Sequence, residues 1–165
     1  MRSKGFDGMV CSIADVMAAI GDRWGLLILR DLVLGLRRYD EFRQSSGVTN
    51  ATLSDRLKHL EASGLIERRA YQQNPERFEY LLTRSGREVG ALMPVLAQIG
   101  DTLGASAPPM TFLNRKTGAP VRWAFIDQAT GEPVSPEDLT IEAGPGADDL
   151  VRWRLSQGGQ HRSIV

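Results

Sequence analysis

Leucines at 53, 57 and 60 recur at the spacing of one helical face. At 100° per residue, the opposite face carries Ala51, Thr52, Asp55, Arg56, Lys58 and His59. These are small, polar and cationic groups, not nucleophiles or metal ligands. Asn50 and Arg56 are the residue types that pair with a purine edge, Asn with adenine and Arg with guanine, each giving about 1–3 kcal/mol of discrimination. Ala51 suits contact with a thymine methyl, and Thr49 can cap the helix through its hydroxyl. Arg37 and Arg38 upstream, and Arg77 downstream, read as phosphate clamps that add affinity without sequence information. Asn74, in a turn just before Arg77, is a candidate for the minor groove. Together these residues describe contact with double-stranded DNA. A second reading of Arg56 stands beside the first, pairing with Asp55 or Glu61 on a solvated helix. Arg68 and Arg69 read as structural, and His59 as a neighbour of solvent or phosphate.

The flanking elements have to present that helix. Ile13, Val16, Met17 and Ile20 recur at i, i+3, i+4 and i+7, so a short amphipathic helix is expected over about Ser12–Ile20. Trp24–Leu34 is apolar nearly all round, as suits a helix enclosed by others, and Gly35 ends it. Arg38–Ser45 gives a two-turn helix that sends Tyr39 and Phe42 inward and keeps Asp40 and Glu41 near its positive end. Ser46, Gly47 and Val48 make the tight connection to the helix capped by Thr49, which Gly64 closes. A hairpin then follows: Leu65–Tyr71, a turn at Gln72–Pro75, and a return strand in which Phe78, Tyr80 and Leu82 alternate with Glu79 and Leu81. Thr83 caps a last long helix. In it Val89, Leu92, Met93, Leu96, Ile99 and Leu103 keep a near-heptad spacing, and Pro94 is expected to bend it.

Short helices, a tight turn and a β-ribbon are the parts of a winged helix. The 165 residues balance 20 basic against 20 acidic side chains, so net charge does not announce a nucleic-acid partner. The stretch from Arg37 to Arg87 holds ten Lys and Arg against seven Asp and Glu, an excess of +3. An enzyme has little support: His59 and His161 are the only histidines, there is no phosphate-binding loop, and no Cys/His cluster has metal spacing. No cofactor is expected. The chain lacks a run long enough for a membrane span and an apolar leader, so a soluble, cytoplasmic protein is expected.

The ordered motifs resemble the HxlR-type winged-helix transcription regulators of bacteria. The similarity runs from about Cys11 to Asp101. It rests on Cys11-Ser12-Ile13, Gly21-Asp22-Arg23-Trp24 with Leu27 to Leu32, and Arg38-Tyr39-Asp40-Glu41-Phe42. It continues with Leu53 to Glu61, Gly64-Leu65-Ile66, Phe78-Glu79-Tyr80 and Leu82 to Arg87. The resemblance implies a homodimer on a pseudo-palindromic operator, with the first and last helices as interface, and steric repression as the commoner mode. It favours DNA contact for Arg56. It also implies a redox-sensing thiol at Cys11 in some members, although members without that role carry the cysteine too, and an inert, packed thiol is the preferred reading. A winged helix that binds protein instead of DNA is the competing class. The polar outer face of the Thr49-capped helix argues against it.

Composition turns to Ala, Ser and Pro at Ala105–Pro109, dividing a winged-helix and dimerisation domain (1–107) from a small β-rich module (108–165). The fold class expected is α+β: a winged helix-turn-helix, a long C-terminal dimerisation helix and a small all-β appendage. Strands are expected over Val121–Phe125 and Leu150–Leu155. Asn114–Gly118 and Asp127–Gly131 share the x-x-x-x-Gly form of a zinc knuckle, yet Asn114, Thr117, Asp127 and Thr130 offer neither thiolate nor imidazole. A metal-free appendage follows, shaped like a degenerate zinc ribbon or built from two ordinary Thr-Gly turns. Trp123, Phe125 and Trp153 would pack against the rest of the chain or across the dimer. A small apolar or aromatic effector lodged near Leu92, Leu96, Trp123 and Phe125 is the functional extension of that idea.

Overall fold

The computed structural model describes residues 5, 6, 8–104 and 107–158. His161 and the fraying expected beyond Gly158 lie outside them. The chain divides into two compact units, residues 1–107 and 108–165.

In the first unit, α1 (Ser12–Ile20) buries Ala14 and Ile20 but leaves Ile13 76% and Met17 48% exposed, so the apolar stripe in the sequence is wider than the face turned inward. Asp22 begins α2 (Arg23–Val33): its Oδ1 accepts from the backbone N–H of Trp24 (2.9 Å) and Gly25 (3.1 Å). Gly25 is required by packing, because a Cβ there would lie 2.1 Å from the Ile20 carbonyl oxygen. Ile28, Leu29 and Leu32 place α2 at the centre of the core. Asp31 is buried beside them. Its Oδ1 accepts from Arg30 Nε and NH2, and its Oδ2 meets no hydrogen-bond partner among the described residues.

Next come α3 (Tyr39–Ser46) and α4 (Asn50–Ala62), joined by Gly47 at φ 66° and the buried Val48. Phe42 of α3 and Leu53, Leu57 and Leu60 of α4 close on α2. Gly64, at φ 70°, turns the chain into β1 (Ile66–Gln73), which pairs antiparallel with β2 (Glu76–Leu82). Tyr71 is the extra residue at an irregularity between the Ala70–Phe78 and Gln72–Arg77 pairs. Thr83 caps α5 (Arg84–Gly90) by accepting from Gly86 N–H at 3.0 Å, while its hydroxyl donates to the Gly64 carbonyl at 2.6 Å. The one long bent helix expected from Thr83 onward is instead two, because α6 starts afresh at Leu92 and runs to Leu103. Pro94 explains the break: it has no N–H to give the Gly90 carbonyl, and its ring collides with that group.

The second unit contains two hairpins of the same design. Asn114 Oδ1 accepts from the N–H of Lys116 and Thr117, Gly118 N–H donates to the Asn114 carbonyl, and Thr117 Oγ1 accepts from Ala119 N–H. Thirteen residues on, Asp127 Oδ1 accepts from Ala129 and Thr130, Gly131 N–H reaches the Asp127 carbonyl, and Thr130 Oγ1 accepts from Glu132 N–H. Gly118 and Gly131 both take the left-handed conformation (φ 70° and 75°). Each Asx side chain satisfies the turn amides.

Of the strand expected over Val121–Phe125, only Phe125 is in a paired strand. β3 (Phe125–Ile126) pairs with β4 (Pro133–Val134), whereas Val121 donates to Phe112 in the first hairpin. The expected strand at Leu150–Leu155 is a helix, α7 (Asp149–Gly158), so the appendage is not all-β. Asp148 Oδ1 accepts from Val151 N–H at 2.8 Å, and Val151 and Leu155, four apart, are its half-buried pair.

Candidate nucleic-acid interface

Tyr39 sets the position of α4 on α3. Its hydroxyl donates to the Asn50 carbonyl at 2.9 Å and lies 3.0 Å from Ser54 Oγ. Thr49 Oγ1 accepts from Thr52 N–H (3.3 Å) and meets Thr52 Oγ1 (3.0 Å), so these two hydroxyls serve the cap. The outer ridge of α4 is Ala51, Asp55, Lys58 and Ala62, with Asn50 exposed at its start. That spacing follows the helical repeat.

Arg56 and His59 sit on the flank, against the corner between α1 and α2. Arg56 Nε donates to Asp22 Oδ2 at 2.8 Å, its NH1 donates to Asp55 Oδ2, and its side chain is 28% exposed. His59 Nε2 lies 2.9 Å from the Ala18 carbonyl oxygen. Gly21 (φ 88°) admits the imidazole, since a Cβ there would come within 2.9 Å of it. Of the two partners considered for Arg56 in a solvated helix, Asp55 is present, while Glu61 pairs with Arg68 (3.4 Å). Burial works against ionisation of Asp22, but the Gly25 N–H, Arg56 and the Trp24 N–H outweigh it and hold the carboxyl below its ordinary pKa.

The wing is fastened to the start of α3. Tyr80 N–H donates to the Arg37 carbonyl at 2.8 Å, and Arg38 bridges to Glu79, so residues 37–38 run beside β2. Glu41 accepts from the Arg37 and Arg38 amides at 2.7 and 2.8 Å, and these two bonds lower its pKa. Arg38 stacks 4.7 Å from the Tyr71 ring centroid, and Arg69 pairs with Glu79 at 2.6 Å. Arg38, Tyr71, Arg77 and Phe78 line one groove of about 480 Å³ together with Asp40, Glu41 and Glu76. Arg37, Lys58 and Arg77 are exposed and make no ion pair within 4 Å among the described residues. Asn74 is exposed in the turn, where its carbonyl accepts from Gln72 Nε2.

The remaining candidates lie elsewhere. Cys11 precedes α1, is half-buried and makes no capping bond through sulfur. Leu92 and Leu96 are exposed on α6 in the first unit. Trp123 and Phe125 stack edge to face at 5.2 Å in the second. No group of three or more potential metal ligands exists among the described residues. Sequence reasoning missed Asp22 and Tyr71. Asp22 entered only within the Gly21-Asp22-Arg23-Trp24 motif, and Tyr71 as the last residue of a strand.

Residues 19–107 match the family model of the HxlR-like helix-turn-helix. The chain belongs to the HxlR-like family. Rv3095 of Mycobacterium tuberculosis, an uncharacterized HTH-type transcriptional regulator, is 36% identical over 137 residues, spanning 82% of this chain and 87% of that one. Among solved structures, the Pseudomonas aeruginosa protein PA1374, assigned as a transcription factor, superposes with a TM-score of 0.61 at 34% identity. It covers 88% of this chain and all of its own. PA1607 of the same organism gives 0.68 at 29% identity over 86% of this chain and all of its own. Both coverages exceed what the 107-residue first unit could supply, so the likeness continues into the second. The HxlR-like family consists of DNA-binding transcriptional regulators, not enzymes. No helix among the described residues is long and apolar enough to cross a membrane.

Proposed function

We propose that this HxlR-like chain is a homodimeric, sequence-specific repressor that occupies a pseudo-palindromic operator. The observation that carries this reading is the small, polar outer ridge of α4, flanked by the exposed cations Arg37, Lys58 and Arg77, which form no ion pair among the described residues. An α-helix fits the major groove, so Asn50, Ala51, Asp55 and Arg56 reach base edges while the flanking cations hold phosphate. Thr49 and Thr52 fix the entry of the helix, and Arg38 and Asn74 follow the wing. The exposed Ile13 and Met17 of α1 and Leu96, Ile99 and Leu103 of α6 support the dimer, since solvated apolar stripes of this size are covered in an assembly. A metal-free second unit belongs to the same reading, and so does release from DNA by a small apolar effector.

Sedimentation of the full chain and gel shifts on selected and random duplexes over a range of salt test this. A dimer whose affinity falls steeply with salt, and which prefers a two-fold symmetric site, supports it. A monomer, or binding insensitive to salt, refutes it and favours the protein-interaction alternative.

A further inference from the structure

Arg56 is not free to search for a partner. Its Nε is held by Asp22 Oδ2 and its NH1 by Asp55 Oδ2, from two different helices. A guanidinium carries five N–H donors, so three remain, all on NH1 and NH2, and a bidentate contact with guanine needs two. The side chain has therefore given up its rotamer freedom on folding while keeping the donors a base requires. Charge leads to the same view. One arginine between two carboxylates leaves the cluster at −1, which suits a neutral base edge and disfavours a phosphate. Asp22 is itself immobile, because its other oxygen caps α2 through the Trp24 and Gly25 amides.

We propose that Asp22 is a specificity-determining positioning residue: it holds the Arg56 guanidinium as a reader of one guanine and keeps it away from the DNA backbone. This rests on the base-reading role proposed above for Arg56. Asp22 touches no DNA. Its effect on base preference runs through Arg56, which separates that role from its capping of α2.

The test uses the full-length protein and selection from a random-sequence duplex pool. Asp22→Asn retains a side-chain oxygen to cap α2 but presents no carboxylate to Arg56. Its preference for the guanine in each half-site should fall about ten-fold. Binding to random duplex should tighten, and the slope of log affinity on log salt should steepen, as the cluster that Arg56 keeps with Asp55 goes from −1 to neutral and no longer repels phosphate. In the double variant with Arg56→Ala, the effect of Asp22→Asn on preference should vanish. Asp22→Ser, which also caps, should reproduce these results and excludes a folding artefact. An unchanged preference in Asp22→Asn, or an equal loss of specific and random binding, overturns the proposal and leaves base reading by Arg56 standing. Preference retained at every position in Arg56→Ala overturns both.

Discussion

Replacing Arg37 with Ala removes a cation that nothing in the fold requires. It has no carboxylate partner within 4 Å among the described residues, so no acidic group among them is stranded, and its structural contributions come from its backbone, which bonds Glu41 and Tyr80. Melting temperature should stay within the small range of neutral surface changes. DNA binding should not. If Arg37 holds one phosphate, a dimer loses two contacts, and at about 0.9 per contact the salt slope falls by about 1.8. Between roughly 50 and 200 mM salt, that difference makes the loss of affinity about twelve-fold smaller than in wild type. The assay is fluorescence anisotropy with selected and random duplexes across that range. Both duplexes should lose affinity in the same proportion, since a phosphate contact carries no sequence information. An unaltered slope, or a defect confined to one base position of the selected site, would refute the assignment.

Glu41→Gln should reduce stability at neutral pH and flatten its acid dependence. A carboxyl whose folded pKa is depressed contributes stability above its unfolded value, near 4, and loses it as pH falls through the folded value; urea melts over that window check this. Gly86→Ala places a Cβ 1.9 Å from the Leu65 carbonyl oxygen, a backbone atom, so destabilisation should exceed about 1–3 kcal/mol by chemical denaturation. Cys11→Ser should respond to peroxide as wild type does, in keeping with an inert thiol; release from DNA in wild type only would make Cys11 a sensor. Removing residues 108–165 should leave dimerisation in place, and sedimentation showing a monomer would give the second unit a structural role.

The periodic parts of the fold were legible before any coordinates. Leu53, Leu57 and Leu60 repeat at helical spacing, Thr49 and Thr83 carry the capping hydroxyls, and Gly64 sits where a left-handed residue is needed. What escaped was tertiary. Asp22 and Arg56 are 34 residues apart, and nothing in either neighbourhood shows that α2 begins beside the flank of α4. The strand read at Leu150–Leu155 failed because apolar residues at 151, 153 and 155 satisfy a period of two, while the Asp148 cap and the pair at 151 and 155 satisfy a helix. The cap decided it. Ile13 and Met17 were legible as apolar but not as exposed, since periodicity reports a face and not what covers it.

A chain with no net charge can still hold DNA if its carboxylates are spent elsewhere. Of the ten cations between Arg37 and Arg87, Arg56, Arg68, Arg69 and Arg84 are in ion pairs, which leaves six with no ion pair within 4 Å among the described residues. Of the seven acids in that stretch, Asp55, Glu61 and Glu79 are paired and Glu41 is committed to two backbone amides, which leaves three. Folding thus turns an excess of +3 on ten into two available cations for every available acid. Arg43 lies in the last turn of α3 and Arg87 donates to the Leu82 carbonyl, so Arg37, Arg38, Lys58 and Arg77 are the four that flank α4 and the wing. If each holds one phosphate in the proposed dimer, eight contacts set an upper slope of about seven for the salt dependence of specific binding. On the proposed reading, sequence-independent affinity is then large enough to bring the protein to DNA, and discrimination would fall to the small ridge of α4 and its buttressed arginine.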